Sequence, residues 1–449
     1  MSELPRVAII GTGISGLAAA VRLTRDGIKN VTIFEARREP GGRTRSYIDP
    51  KTGDELDNGQ HLLMGCYTAT LDYLSIIRSE RMIERIPLRI PFWSNTGVRS
   101  FTIDRSLAPP LNLLIALART SLLTFSEKRA AAKLGNAIWR SKLPNDFQRM
   151  TCEDFFGYFE QPDSLVLKLW SPIVLATINA APARASAELF VNVLREAFFS
   201  SRSASALLIP KCGLSELLVQ PAIHFLEEQG GKIQVGSPIR SVEKFGNIFK
   251  LSLDSETLEF DAVIDASSQF NVGPEAPPIP NVEYSPIVNA YFWLDRSVFK
   301  APVHAFVGTT LQWAFPKQSH YCAERVALTV SAAEGLVDKS NESIRDILWA
   351  DLQQTVPAAR DATLLHWQII REKHATPLFT PELQQSRPNT KTTMNNFYRT
   401  GDLIQNGLPA TIEGAVRNGY TAAEALLETP GNARIFSESI QPQMGRGSD

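Results

Sequence analysis

Apolar positions change rhythm along the chain, and the order of the rhythms predicts its architecture. Residues 6–10 and 31–35 are short continuous apolar runs that read as buried strands, and residues 14–27 between them carry apolar side chains at helical spacing. Strand, helix and strand in that order make one βαβ unit, the core of a nucleotide-binding half. From about residue 71 to 205 the pattern is mainly helical, rich in Leu, Ala, Phe and Trp and punctuated by prolines, and reads as an insertion facing a substrate. Alternation at period two returns over residues 232–267, with strands expected at 233–235, 239–245, 248–253 and 257–260 and an apolar run at 262–266. A proline-rich passage from Pro274 to Pro286 leads into mixed strand and helix up to about Pro388, and Thr400-Gly401-Asp402 then opens a glycine turn and a helix ending near Glu428.

The predicted fold is therefore α/β: a Rossmann-type, two-dinucleotide-binding domain interleaved with an α+β substrate domain. The nucleotide part is expected to be discontinuous, over residues 1–90, 205–275 and 388–428. The substrate part takes 91–204 and 276–387, and the polar tail 429–449 is expected to be disordered. A chain of 449 residues exceeds what one core supports. With 46 Lys and Arg against 47 Asp and Glu, it has no basic excess to neutralise a nucleic-acid backbone. The four cysteines stand singly, without metal-ligand spacing, which fits a reducing compartment and a cytoplasmic location. No charged-then-apolar signal opens the chain. The longest apolar stretch, 107–125, is broken by Pro109, Pro110, Asn112 and Arg119, so it is too interrupted to span a bilayer but suited to lie on one, with Leu113, Leu114, Ile115 and Leu117 bracketed by Arg105 and Arg119. The same stretch also reads as an ordinary buried helix.

Gly11-Thr-Gly13-Ile-Ser-Gly16 sits between the first strand and the first helix, the context that makes a glycine pattern a dinucleotide fingerprint. Gly11 permits the tight turn, Gly13 lets the backbone approach a pyrophosphate, and Gly16 lets helix and strand pack closely. Glu35, at the end of the second strand, is placed to accept hydrogen bonds from ribose hydroxyls and to repel a 2′-phosphate. NAD and FAD share these features. Gly41-Gly42-Arg43 just beyond Glu35 can close a second backbone loop over a pyrophosphate with Arg43 as its donor, although a glycine doublet alone is also a plain turn. Gly401-Asp402 and the segment Gly407-Leu-Pro409-Ala-Thr411-Ile412-Glu413-Gly414 supply a strand end, a loop and a helix N-terminus that can face a flavin.

This set of motifs resembles the FAD-dependent amine oxidase and carotenoid desaturase superfamily over nearly the whole chain. Asp57-Asn58-Gly59-Gln60-His61, Gly65-Cys66-Tyr67, the stretch from Trp170 to Asn179, and residues 408–416 narrow the resemblance to hydroxysqualene dehydroxylases. The sequence departs from the pattern at Thr400 and His374, where relatives commonly have Ala and Arg. The resemblance implies non-covalent FAD held by Gly11, Gly13, Ile14, Ser15, Gly16, Glu35, Ala36, Gly41, Gly42, Arg43, Gly59, Gln60, His61, Val242, Gly401, Asp402, Pro409, Thr411 and Ile412. It further implies reductive dehydroxylation of hydroxysqualene to squalene in isoprenoid and hopanoid precursor biosynthesis, an external electron donor, and a hydrophobic isoprenoid substrate drawn from a membrane on whose inner face the protein lies peripherally. Hydroxide is a poor leaving group, so a proton donor is needed; Asp57 and His61 are the candidates, with Tyr67 and Trp170 as aromatic walls of the substrate pocket. Each also has a structural reading, a turn for residues 57–61 and core for the two aromatics. Two other functions stay open: an FAD-dependent desaturase or amine oxidase on the same scaffold, and a non-enzymatic prenyl-lipid escort.

Overall fold

A computed structural model describes residues 5–104, 106–268, 270–275, 279 and 281–429. Arg105 and, apart from Thr429, the expected disordered tail lie outside the described residues. Strands β1 (Val7–Ile10), β2 (Val31–Phe34), β3 (Lys232–Gln234), β4 (Ala262–Asp265) and β5 (Phe397–Arg399) form a parallel sheet in the order β3-β2-β1-β4-β5. Every residue of β1, β2 and β4 is buried, which explains why these runs are continuous rather than alternating. Alternation survives as a choice of layer. Val7 and Ile9 pack towards the helices, whereas Ala8 and Ile10 pack with Phe34 and Val263 against an antiparallel meander of Ser241–Phe245, Ile248–Ser252 and Thr257–Phe260.

On the helix side, α1 (Ile14–Arg25) lies along α2 (Ile412–Leu427), two elements almost four hundred residues apart. Their approach depends on Gly419, since a Cβ there would stand 2.3 Å from the Ser15 carbonyl oxygen.

The second large sheet has seven strands, in the order Leu364–Pro377, Tyr284–Leu294, Glu324–Ser331, Trp313–Lys317, His304–Phe306, Arg89–Ser94 and Gly97–Thr102. The last two correct the expectation of mainly helical structure from residue 71 onward. Ile90 and Phe92 are buried while Arg89 is exposed, the period-two signature of a half-buried hairpin, and its edge pairs in parallel with His304–Phe306. One face of this sheet packs on the helix Asn341–Thr355. The helices of residues 111–199 build a separate core around Phe155, Phe156, Phe190 and Val191.

Candidate cofactor and active site

The turn after β1 has the geometry its glycines predict. Gly11 has φ +107°, a conformation that a side chain disfavours, and a Cβ on Gly16 would stand 2.1 Å from the Gly11 carbonyl oxygen. A Cβ on Gly13, by contrast, would meet nothing within 4 Å. Open space therefore faces the first turn of α1, which begins at Ile14 and whose N–H groups have no intrahelical partners. Glu35 closes the far side: its carboxylate accepts from the Thr12 amide at 3.0 Å, from the Thr12 hydroxyl, and from the Arg37 amide at 2.9 Å. Both Thr12 bonds fall on Oε2, so Oε1, which takes the Arg37 amide, is the oxygen with an acceptor site left for a ribose hydroxyl. Ala36 follows it, exposed on the same turn.

The second glycine loop meets the first. Gly41 and Gly42 have φ of +105° and +59°, Gly41 donates to the Thr12 hydroxyl at 3.2 Å, and a Cβ on Gly42 would lie 3.4 Å from the Gly13 Cα. Two glycine loops face each other over one space, which is what a pyrophosphate cradle requires. Arg43 enters that region, donating to the Ala375 carbonyl at 2.6 Å and to the Asp402 carboxylate. Asp402 and burial act in opposite senses on the Arg43 guanidinium, and Asp402 dominates, holding its pKa above the ordinary value. The Arg43–Asp402 pair thus fastens the N-terminal loop to the C-terminal turn, where Gly401 has φ +129°.

A second tie between the same segments runs through the Thr400 departure. Its hydroxyl is 2.5 Å from the Ser15 hydroxyl, both buried, so the hydrogen bond joins the first turn of α1 to the strand end before Asp402. Arg387, which carried no signal in the sequence, donates to the carbonyl oxygens of Asp402, Ile404 and Leu408 and fixes the loop between Gly401 and Pro409. Thr411 caps α2, its hydroxyl accepting from the Gly414 amide at 3.1 Å, and Ile412 begins the helix.

The block of residues 57–61 lies where the nucleotide-binding layer meets the seven-stranded sheet. Asp57 is buried, its carboxylate taking the Ser46 hydroxyl at 2.7 Å and the Leu214 amide at 2.8 Å, while its carbonyl oxygen accepts from the Tyr291 hydroxyl at 2.7 Å. Asn58 donates to Glu372 at 3.2 Å, Gln60 to the Tyr291 hydroxyl at 3.1 Å, and a Cβ on Gly59 would sit 3.4 Å from the Asn289 side-chain nitrogen. His61 differs from these neighbours, making no hydrogen bond among the described residues. Burial lowers its pKa below the usual 6.5, Asp57 opposes that shift, and Arg43 adds to it. The His61 Nε2 would stand 3.8 Å from a Cβ on Gly59. A cavity of about 40 Å³ is shared by Asp57, Gln60, His61 and Lys317. Lys317 was not singled out in the sequence, because only strand pairing brings it here.

Tyr67 precedes the helix Thr68–Ile76 and stands beside Thr411; burial raises its hydroxyl well above the usual range, with Thr411 opposing. Glu413 lies in the first turn of α2. Its buried carboxylate accepts from the Ala69 and Thr70 amides, the Thr70 hydroxyl and Arg417 Nε, so it caps the helix that Tyr67 introduces. Trp170 is in the core of the helical layer, stacked on Phe156 at 6.2 Å and bonded through its N–H to Gln161 at 2.9 Å. Val242 is buried in the meander, its amide on the Val272 carbonyl at 2.9 Å. Lys373 points away from the cradle to Asp338 at 2.9 Å, and His374 is exposed with its ring edge-on to Tyr284; Glu372 and Ala375 are the residues of that strand that approach the cradle.

Residues 14–427 match the model of the flavin containing amine oxidoreductases. The chain is 30% identical over 438 residues to a hydroxysqualene dehydroxylase of Sinorhizobium fredii, covering 94% of this chain and 99% of that one. It is 33% identical to a hydroxysqualene dehydroxylase of Rhodopseudomonas palustris, covering 94% and 98%. The chain belongs to the flavin containing amine oxidoreductases, in the hydroxysqualene dehydroxylase family.

More distant members share the scaffold. A 15-cis-phytoene desaturase of Synechococcus elongatus is 22% identical over 94% of this chain and 96% of its own length. Cyclohexylamine oxidase from Brevibacterium oxydans, 14% identical, superposes with a TM-score of 0.70 over 95% of this chain and 99% of that one. As a member of this flavoenzyme family the chain is an oxidoreductase that uses FAD; the paired glycine loops, Glu35, Arg43 and the α2 N-terminus have the open space and polar groups that could hold it.

Proposed function

We propose that the chain reductively removes the hydroxyl group of hydroxysqualene, giving squalene and water. The observation that supports this substrate is the gap in identity, 30–33% over full length to hydroxysqualene dehydroxylases against 22% to the phytoene desaturase. Reduced FAD, when bound, supplies the hydride that replaces the hydroxyl. The protein must then help the carbon–oxygen bond break, and it does so by giving the departing oxygen a proton so that it leaves as water. His61 suits this task, with ring nitrogens unengaged among the described residues. Asp57, held by Ser46 and Leu214, supplies a fixed negative charge that favours the protonated ring. The Tyr67 ring supports an allylic cation through its face, while Trp170, stacked on Phe156, acts through the packing of the helical core.

The isoprenoid has almost no polar handle, so it comes from a bilayer, and the protein lies peripherally on the cytoplasmic face. Leu111 and Leu114, 51% and 46% exposed on the helix Leu111–Arg119, support that placement; Leu113 and Leu117 turn inward instead. No helix among the described residues is long and apolar enough to cross a membrane. An external donor re-reduces the flavin.

The test is anaerobic incubation of the chemically reduced holoprotein with hydroxysqualene, followed by lipid extraction. Squalene formation with flavin reoxidation is the expected result. A yellow protein that leaves hydroxysqualene intact and instead desaturates phytoene would move the function to the carotenoid desaturases.

A further inference from the structure

A cleft of about 750 Å³ opens between the Arg89–Thr102 hairpin, the helix Leu111–Arg119 and the turn at Arg202-Ser203, well apart in sequence from the cradle residues. Its lining is two-sided. Ile103, Ile115 and Ala116 make an apolar floor, and Arg119 and Arg202 stand on the rim. Among the described residues neither guanidinium forms an ion pair closer than 4.0 Å. Asp104, the acid of the cleft, accepts from the Ser106 amide and hydroxyl at 2.9 and 2.8 Å, and these bonds together with Arg119 hold its carboxyl below the usual range. Asp104 therefore offsets part of the Arg119 charge and leaves that of Arg202. A third cation, Lys128, sits at the end of the same helix with its ammonium on the Ala118 carbonyl at 2.8 Å.

Exposed apolar side chains surround this basic rim. Leu111 and Leu114 project from the helix, and Phe125, at the start of the next one, is 84% exposed. Apolar side chains beside a cationic cleft match one ligand with an apolar body and an anionic head. We propose that the cleft binds the phosphate headgroup of an anionic phospholipid and so seats the Leu111–Arg119 helix on a bilayer. The apolar residues enter the acyl boundary while the two arginines reach the phosphates at its surface. The cleft is backed by Ser203, whose carbonyl oxygen would stand 1.9 Å from a Cβ on Gly65, two residues before Tyr67. Docking there turns the Tyr67 side of the active site towards the lipid. The inference rests on the membrane reading above but not on the reaction, and vesicle binding is measured whether or not hydroxysqualene is turned over.

The experiment is flotation of the holoprotein with vesicles of phosphatidylcholine alone and of phosphatidylcholine mixed with phosphatidylglycerol. Tighter binding to the mixed vesicles is expected. Arg119→Glu and Arg202→Glu should each weaken mixed-vesicle binding by at least about fivefold, since a basic residue near an anionic surface contributes on the order of 1 kcal/mol. Binding to phosphatidylcholine should stay unchanged in both, whereas Leu111→Asp/Leu114→Asp should lose both kinds. Arg240→Glu makes the same change of net charge at the exposed Asp254 pair in the distant meander and should have no effect. Arg202→Gln replaces Arg202→Glu if the latter loses its flavin. Equal binding of the wild type to the two vesicles, a preference that survives removal of both arginines, or an Arg240→Glu effect as large as that of Arg202→Glu would overturn the proposal.

Discussion

Replacing Glu413 with Gln tests whether the C-terminal helix is locked to the substrate side of the site by one carboxylate. One of its oxygens accepts from the Ala69 amide at 3.1 Å and Arg417 Nε at 2.7 Å, the other from the Thr70 amide at 2.9 Å and the Thr70 hydroxyl at 2.7 Å. Glutamine keeps one oxygen and presents an NH₂ group to the other two donors. Two charge-assisted bonds are lost, at about 1.5–3 kcal/mol each. The Thr70 hydroxyl can rotate to accept from the new amide, and Arg417 retains Glu196 at 3.0 Å, so the net loss is about 3 kcal/mol. For a chain of 449 residues that corresponds to a fall in melting temperature of about 3 °C. Because Glu413 sits in the first turn of α2 and caps the helix that follows Tyr67, FAD affinity should fall as well, by about tenfold for each 1.4 kcal/mol of cradle distortion. Thermal melts of apo- and holoprotein, with flavin fluorescence titration, measure both. A variant with unchanged melting temperature and unchanged FAD affinity would refute the clamp.

Gly16→Ala should yield protein without flavin, because its methyl group would stand 2.1 Å from the Gly11 carbonyl oxygen and force α1 off the strand; the absorption spectrum of the purified variant checks this. Turnover should fall as pH rises through a value below 6.5, the direction expected if a protonated His61 whose pKa is lowered by burial gives up the proton. Asp57→Asn should move that limb lower and His61→Gln should abolish it, whereas a wild-type profile flat across this range would remove His61 from the chemistry. Burial alone would raise the carboxyl of Glu127, but bonds from Lys168, Ser164 and Thr124 outweigh it and bring it to about 2, below its ordinary 4.5. A group lowered on folding stabilises above its unfolded pKa and loses that contribution as pH falls through the folded one. Melts should therefore show Glu127→Gln less stable than wild type by on the order of 3 kcal/mol at neutral pH, with the gap closing between pH 4.5 and about 2.

Much of the cofactor half was legible along the chain because its signals are local. The spacing of Gly11, Gly13 and Gly16 reports a turn whose φ angles and clearances are fixed within six residues, and Glu35 follows at the end of the next strand. Continuous apolar runs likewise marked strands buried on both faces. The hairpin over residues 89–102 was missed because its second strand is mostly exposed and carries little alternation; its place is set by the pairing of Arg89–Ser94 with His304–Phe306. Which polar residue does what was settled only by tertiary contact. The sequence marks Glu413 as part of a helix start and Thr400 as a departure without giving either a partner, and does not distinguish Arg387 and Lys317 from surface residues of the same type. Folding makes the first a helix cap, the second a bond to Ser15, the third an anchor for three carbonyls and the fourth a neighbour of His61. A backbone turn is determined by the residues that form it. The role of a buried polar side chain is determined by the partners that satisfy it, and in this chain those partners lie up to 385 residues away.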